Sequence, residues 1–241
     1  MNKYSAAIFD MDGTTLDTVG DLTDAVNYTM RSLDLKDDFK PEDAKLFFGS
    51  GVSVALTRAF AMMQGIASGY DLLLIGTEED SVSGNVDKFL LKRAEEIYKP
   101  YYSSHNAIKT GEYPRISTLL KDLRANGVKT AVVSNKPHDS VTALSSRLFN
   151  GLFDACLGEH PGIKRKPAPD MTLKILDELK VSRKDAVYIG DSEIDLETAA
   201  NSGLDCIAVT WGFRDRDFLK EHRAETIVDS PDEILHLVLD L

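Results

Sequence analysis

The 241-residue sequence has few cysteines, no long hydrophobic run and a deficit of basic residues. Its two cysteines, Cys156 and Cys206, each lie in a short apolar stretch, which favours small buried side chains over a disulfide or a nucleophile. The densest apolar patches, residues 72–75 and 234–239, are far shorter than the roughly 18 residues that a membrane helix needs. A disulfide framework and a membrane-spanning segment are therefore not expected.

The charge balance narrows the possible partners. The chain has 39 acidic and 28 basic residues, for a formal charge of −11. A field of that sign repels polyanions, so nucleic acid is not an expected partner, whereas a small phosphorylated ligand is compatible if cations are concentrated locally. The stretch of polar candidate site residues that begins at Asp10 leaves no room for a cleavable signal peptide before it. A cytoplasmic location is therefore expected. Nothing in the sequence indicates the oligomeric state.

Short apolar runs alternate with longer amphipathic runs from residue 105 onward. Strands are predicted at residues 6–9, 130–133, 155–157, 186–189, 206–209 and 226–228. Helices are predicted between them at residues 116–126, 138–149, 169–179, 194–201 and 232–239. This alternation predicts an α/β fold with a doubly wound parallel sheet covered by helices on both faces.

The segment after the first strand has a different pattern. Helical patterns cover residues 17–33, 41–47, 52–63 and 86–102, with no convincing strand between them and a predicted loop at residues 64–85. The sequence therefore predicts two domains: a catalytic α/β core formed by residues 1–16 and 105–241, and an all-helical insertion formed by residues 17–104.

Polar residues follow the predicted strands at the points where ligands bind in open parallel sheets. These clusters are Asp10-Met11-Asp12-Gly13-Thr14, Ser134-Asn135-Lys136 and Gly190-Asp191-Ser192-Glu193-Ile194-Asp195, with the basic cluster Lys164-Arg165-Lys166 before a later helix. Each cluster alone is explained by a turn, a helix cap or a solvated charge run. Those separate explanations do not account for their common position at strand ends.

In order and in strand context, these four clusters resemble the signature motifs of the haloacid dehalogenase-like phosphohydrolase superfamily. Residues 133–137 and 209–214 are similar to phosphoglycolate phosphatases in particular, although Glu112-Tyr113-Pro114-Arg115-Ile116 departs from the usual Pro-Tyr-Pro-Gly of that group. The resemblance implies a Rossmann-like core with an inserted α-helical cap. It also implies a Mg²⁺-dependent phosphatase that acts on a small phosphorylated metabolite, with 2-phosphoglycolate as the leading substrate.

The resemblance also implies roles for individual residues. Asp10 is expected to be the nucleophile that becomes an aspartyl-phosphate, and Asp12 the general acid and base, which must begin protonated. Lys166 and the Ser134 hydroxyl are expected to bind the phosphoryl oxygens, and Lys166 to keep Asp10 ionised. The expected Mg²⁺ ligands are Asp10, the backbone carbonyl of Asp12 and Asp191, with Asp195 farther from the metal.

Substrate contacts are the least constrained part of the prediction. Gly13, Thr14 and Asn135 are expected to contact the phosphate, while Gly49, Gly51 and Arg58 of the insertion are candidates to bind a substrate carboxylate at a helix start. Three alternative functions stay open: a sugar phosphomutase similar to β-phosphoglucomutase, an inorganic pyrophosphatase on the same scaffold, and a non-catalytic module that binds phosphate.

Overall fold

The computed structural model describes residues 2–241, and the chain divides into two compact units. The sheet unit contains the residues up to Asp17 together with Gly111–Leu241, and the helical unit is Thr18–Thr110. Residues 105–110, which the sequence placed in the core, thus belong to the helical unit.

The structure gives the following strands and helices among residues 2–241. The strands are β1 (Ala6–Phe9), β2 (Leu16–Asp17), β3 (Gly111–Glu112), β4 (Lys129–Pro137), β5 (Ala155–Glu159), β6 (Ala186–Gly190), β7 (Asp205–Val209) and β8 (Thr226–Val228). The α-helices are α1 (Val19–Arg31), α2 (Pro41–Phe47), α3 (Val52–Met63), α4 (Lys88–His105), α5 (Ile116–Ala125), α6 (His138–Leu144), α7 (Asp170–Leu179), α8 (Glu193–Ser202), α9 (Arg216–Glu221) and α10 (Pro231–Leu239). Short 3₁₀ helices lie at Gly69–Leu74, Ser83–Asn85 and Arg183–Asp185.

The sheet unit is built on a parallel six-stranded sheet in the order β5-β4-β1-β6-β7-β8. β1 lies in the middle, with Phe9 in register with Val132 of β4 on one side and with Ile189 of β6 on the other. All four residues of β1 are fully buried, as expected for a central strand covered on both faces. This arrangement confirms the predicted α/β class with a parallel sheet.

Helix α7 shows how the sequence pattern produces this layer. Its apolar residues Met171, Ile175, Leu176 and Leu179 recur at helical spacing and are buried in one cluster with the central strands. The helix therefore presents one apolar stripe to the sheet and covers one of its faces.

A carboxylate of α1 explains why the boundary of the helical unit lies later than the sequence indicated. Asp21 accepts hydrogen bonds from the backbone N–H groups of Ile108, Lys109 and Thr110 at 3.1, 2.9 and 2.9 Å. The returning segment is thereby fixed to α1, within the helical unit. At residues 16–17 and 111–112, the short strands β2 and β3 pair antiparallel within the sheet unit.

The structure differs from the predicted elements in three places. β4 continues four residues beyond its predicted end, to Pro137, and its register against β5 shifts between Val133 and Pro137. The predicted helix 138–149 is divided into α6 and a π-helical turn at Ser145–Phe149. α9 was not predicted; it begins at Asp215, whose carboxylate accepts a hydrogen bond from the Phe218 N–H at 2.8 Å.

Two expectations from composition concern the cysteines and the membrane. Cys156 and Cys206 are both free thiols and partly buried, and burial raises the pKa of each above its usual value. Among residues 2–241, none of the helices combines the length and the hydropathy that a membrane crossing requires.

Candidate active site

The carboxyl ends of β1 and β6 place two aspartates side by side. Asp10 follows β1 directly and Asp191 follows β6, and the Asp10 N–H donates to the Ile189 carbonyl at 2.8 Å. Because β1 and β6 are neighbours in register, both side chains leave the sheet at the same edge. Both are almost completely buried.

Lys166 is the buried cation at this edge. Its Nζ lies 2.7 Å from Oδ1 of Asp10 and 2.8 Å from Oδ1 of Asp195. Burial opposes the charge of Lys166, but the two carboxylates raise its pKa well above the usual value. The structure thus forms the predicted contact between Lys166 and Asp10 and adds a second ion pair with Asp195.

The side chain of Asn135 holds the backbone of Lys166. Its Oδ1 accepts the Lys166 N–H at 2.9 Å, and its Nδ2 donates to the Lys166 carbonyl at 3.1 Å. This reciprocal pair fixes the loop that carries the lysine. The side-chain amide of Asn135 thus positions Lys166, and the phosphate contact predicted for this residue stays a prediction.

Three carboxylates share this buried site. Asp10, Asp191 and Asp195 each offer a ligand oxygen, and these oxygens lie within 4.8 Å of one another. Burial raises the pKa of Asp10 well above its usual value, Lys166 opposes that shift, and Asp195 and Asp191 add to it. Burial, followed by the charge of Asp195, raises the pKa of Asp191 to about 7. The predicted role of Lys166 in keeping Asp10 ionised stays a prediction.

These acids fit a hard divalent cation by the chemistry of their donor atoms. All are oxygen donors and they converge in a buried place, and the raised pKa values of Asp10 and Asp191 indicate an excess of negative charge there. A divalent cation with oxygen ligands removes that imbalance. The predicted metal site is supported at this level.

Asp191 is held at both of its oxygens. The Thr14 hydroxyl donates to Oδ1 at 2.8 Å, and the Phe213 backbone N–H donates to Oδ2 at 2.7 Å. The Trp211 indole N–H donates in turn to the Thr14 carbonyl at 3.0 Å. The Thr14 side chain thus anchors a metal-ligand candidate, and the phosphate contact predicted for Thr14 stays a prediction.

Gly13 makes the turn that lets the chain pass Asp191. Its φ is +89°, and a Cβ at this position would lie 2.3 Å from Oδ2 of Asp191. Its N–H donates to the Leu16 carbonyl at 2.9 Å. Gly13 thus closes the turn and leaves space for the carboxylate, and the substrate contact predicted for it stays a prediction.

Asp195 has structural partners on both oxygens. Oδ1 binds Lys166, while Oδ2 accepts the N–H groups of Asp191 and Ser192 at 3.1 Å each and the Ser192 hydroxyl at 2.7 Å. These bonds cap the start of α8 and orient Lys166. The prediction that Asp195 lies farther from a metal than Asp10 and Asp191 stays a prediction.

Asp12 is paired with a lysine that sequence analysis did not assign. Nζ of Lys136 lies 2.8 Å from Oδ1 and 3.0 Å from Oδ2 of Asp12. A cation thus lies directly beside Asp12, and the predicted role of Asp12 as general acid and base stays a prediction. The sequence signal for Lys136 was its position at a strand end, directly after Ser134-Asn135. That signal did not identify Asp12 as the partner of the lysine.

Ser134 is buried at the same edge of the sheet, near the end of β4. Its hydroxyl oxygen accepts the Lys136 N–H at 3.2 Å. The role predicted for it on a phosphoryl oxygen stays a prediction.

Arg58 has a structural role within the helical unit. Its side chain, only 1% exposed, donates to the backbone carbonyls of Phe47, Leu73 and Ile75 at 3.0–3.1 Å. It thereby ties the α2–α3 connection to the segment after α3 within the helical unit. Its guanidinium is used to satisfy buried carbonyls, and the substrate binding predicted for Arg58 stays a prediction.

Gly49 and Gly51 precede α3, and both have a positive φ, of 121° and 89°. This backbone leads the chain into the helix. The predicted binding of a substrate carboxylate by the amides of this loop stays a prediction.

The sheet unit as a whole has the features of a Rossmann-like phosphoryl-transfer hydrolase. A central parallel strand ends in an aspartate, and its neighbours supply a second aspartate and a serine hydroxyl, while a buried lysine pairs with the first aspartate. This arrangement offers a nucleophile, oxygen donors for a cation and a positive charge for a phosphate.

Comparison with known proteins agrees with this class. The family model of haloacid dehalogenase-like hydrolases matches residues 7–209, and the chain belongs to this family. The predicted resemblance is confirmed, and with it the prediction of a phosphoric monoester hydrolase.

Individual relatives give a finer picture. The chain is 31% identical to a phosphoglycolate phosphatase of Psychrobacter arcticus over 207 residues, which are 86% of this chain and 83% of that protein. It is 25% identical to a protein of Caldanaerobacter subterraneus subsp. tengcongensis provisionally named a pyrophosphatase, over 98% of this chain and 95% of that protein. A crystal structure from Lactobacillus delbrueckii subsp. bulgaricus, provisionally assigned as a phosphoglycolate phosphatase, has 51% identity and a TM-score of 0.96, covering 99% of this chain and 100% of that chain.

Proposed function

We propose that this chain is a Mg²⁺-dependent phosphatase that hydrolyses a small phosphomonoester, with 2-phosphoglycolate as the leading substrate. The observation that carries the proposal is the buried Asp10 carboxylate, 2.7 Å from Lys166 at the end of the central strand, with Asp191 beside it. The similarity to phosphoglycolate phosphatases supports the choice of substrate. The cytoplasmic location predicted from the sequence stays a prediction.

Asp10 is the proposed nucleophile. An oxygen of its carboxylate attacks phosphorus as the bond from phosphorus to the ester oxygen breaks, and the product is an aspartyl-phosphate. Lys166 lies against the Asp10 carboxylate and offers a fixed positive charge to the phosphoryl oxygens. Ser134 is proposed to donate a hydrogen bond from its hydroxyl group to one of the same oxygens.

Asp12 is the proposed general acid and base. Its carboxyl group gives a proton to the leaving alkoxide, so that the alcohol departs neutral. The resulting carboxylate then takes a proton from the water that attacks phosphorus, which releases phosphate and restores both Asp10 and the protonated Asp12. Each proton given in the first half is thus recovered in the second.

The proposed metal ligands are Asp10, Asp191 and the backbone carbonyl of Asp12. A bound Mg²⁺ would supply charge neutralisation for the carboxylates and the substrate phosphate together. Thr14 and Phe213 keep Asp191 in place for this role, and Asp195 supports the site through Lys166.

The test is release of inorganic phosphate from a panel with 2-phosphoglycolate, hexose phosphates, nucleotides and pyrophosphate, each with Mg²⁺ and with a chelator. We expect 2-phosphoglycolate to have the highest kcat/KM and the chelator to abolish release. Full activity in the chelator would contradict the metal dependence, and no free phosphate from any compound would contradict the phosphatase.

Pyrophosphate is the second candidate substrate, because one relative is provisionally named a pyrophosphatase. Preference for pyrophosphate over every monoester in the panel would favour that reading. Transfer of the phosphoryl group between sugar hydroxyls without release of phosphate would favour a mutase.

A further inference from the structure

Two lysines pair with the two aspartates that follow β1, one lysine with each aspartate. Lys166 contacts Asp10, whereas Lys136 contacts both oxygens of Asp12. The Lys136 side chain is 2% exposed and that of Asp12 is 20% exposed. The cation is therefore enclosed by protein while the carboxylate it holds still reaches solvent, which is the exposure that a group acting on water needs.

The backbone around Lys136 explains how the lysine reaches Asp12. β4 continues through residues 134–136, where its register against β5 shifts, and the Lys136 N–H bonds the Ser134 hydroxyl. β5 packs so closely on this segment that a Cβ at Gly158 would lie 2.6 Å from the Lys136 carbonyl oxygen. The lysine thus lies on a strand segment that β5 holds in place.

We propose that Lys136 is a positioning residue that orients the Asp12 carboxylate for activation of the hydrolytic water. This inference rests on the proposed function and deepens it by assigning the ion pair to the second half of the reaction. In that half Asp12 is a carboxylate, which is the form that an ammonium group holds in place.

The hydrogen-bonding capacity of a carboxylate makes the two roles compatible. Its two oxygens accept about four hydrogen bonds, so the two contacts from Nζ leave other acceptor positions for a water molecule. Holding both oxygens removes rotation of the Asp12 side chain. A base fixed in this way meets the water in one geometry, and such orientation accounts for a large part of catalysis.

The test uses 2,4-dinitrophenyl phosphate with Mg²⁺. Its leaving group departs without protonation, so formation of the aspartyl-phosphate does not need Asp12, whereas hydrolysis of that intermediate does. We expect Lys136→Met to lower kcat about 10- to 100-fold while kcat/KM stays within about threefold, because only the second half is slowed. A burst of dinitrophenolate equal to the enzyme concentration should appear in the variant.

Lys129→Met is the matched control, since Lys129 lies at the opposite end of the same strand. It should show neither the loss of kcat at nearly constant kcat/KM nor the burst of dinitrophenolate. Lys136→Arg, which keeps a cation, should recover part of kcat. Lys136→Gln gives the same readout with a polar side chain if the methionine variant is too unstable to purify.

The outcomes separate the inference from the function on which it rests. Equal losses in kcat and kcat/KM in Lys136→Gln and Lys136→Met would show a general structural or substrate-binding role and would overturn the inference alone. A wild-type protein that releases no dinitrophenolate and no phosphate would overturn the proposed function and the inference with it.

Discussion

Lys166 in the sheet unit and Arg58 in the helical unit are equally deep in the protein, yet their surroundings differ in kind. Lys166 faces the carboxylates of Asp10 and Asp195, while Arg58 faces backbone carbonyls such as those of Phe47 and Leu73. Carboxylates can attack phosphorus and exchange protons, whereas backbone carbonyls that accept hydrogen bonds from an arginine do neither. The comparison teaches that burial of a charge does not identify a functional site, but the chemistry of its partners does.

The largest expected effect tests the partner of Lys166. Asp10→Asn keeps the size of the side chain and an oxygen for Lys166 but removes the nucleophile, so kcat should fall by at least about 10⁴-fold. Phosphate release measures the loss, and circular dichroism should show an unchanged fold. Asp217→Asn, at an exposed aspartate of the same unit, should leave kcat unchanged. Substantial activity in Asp10→Asn would show that another group accepts the phosphoryl group.

The next effect tests Arg58 and is one of stability. Arg58→Ala leaves several buried carbonyls without donors, each worth about 1–3 kcal/mol, so the free energy of unfolding should fall by about 3 kcal/mol. Urea denaturation measures this change. The kcat of the folded variant should change equally for a carboxylated substrate and for an aryl phosphate.

The control for Arg58 is Arg31→Ala, which removes an exposed arginine paired with Asp37 in the same unit. Its effect should be below about 1 kcal/mol, because exposed ion pairs contribute little. A selective loss of activity on carboxylated substrates in Arg58→Ala would support the substrate role and remove the contrast with Lys166.

The smallest effect concerns pH and the metal. The pKa of Asp191 is raised to about 7 from 3.8, so the folded metal-free protein holds a proton that the unfolded chain releases. The stabilisation from this proton is complete below about pH 4 and is lost as the pH rises through about 7. Since a cation must displace the proton, the Kd for Mg²⁺ should fall about tenfold from pH 6 to 8 and then level off.

Isothermal titration calorimetry of Mg²⁺ into the substrate-free protein at several pH values measures this dependence. Binding in two buffers of different ionisation enthalpy should show release of about one proton or more below pH 7, because Asp10 shifts in the same direction as Asp191. A Kd that does not change between pH 6 and 8 would contradict the charge imbalance inferred for the site.

The sequence predicted the elements that have a strong pattern of their own. The bounds of β1, β8, α2 and α3 agree with the predicted ranges, because apolar runs and helical spacing mark them clearly. The six-residue α9 and the two-residue strands β2 and β3 were missed. Elements this short repeat the helical or strand spacing of apolar residues too few times for the pattern to stand out. The extension of β4 to Pro137 depends on pairing with its neighbours, which a local pattern does not record.

The site shows the same division between local and tertiary information. Asp10 and Asp191 could be placed together because adjacent parallel strands end at one edge. The partners of Lys136, Asn135 and Arg58 could not be predicted. Each partner depends on which atoms the folded chain brings within hydrogen-bond distance of that side chain. Sequence position identified where the polar groups gather, and packing decided which group serves which neighbour.

The strand order has a consequence for how the protein is made. β1 precedes the other strands of its sheet in the sequence, but both of its neighbours come much later, at residues 129–137 and 186–190. The helical unit, whose contacts lie within residues 18–110, can form during synthesis, while β1 must wait for its neighbours. Asp10, the proposed nucleophile, is therefore translated long before the strands that complete its site, so a nascent chain that lacks those strands carries no assembled site.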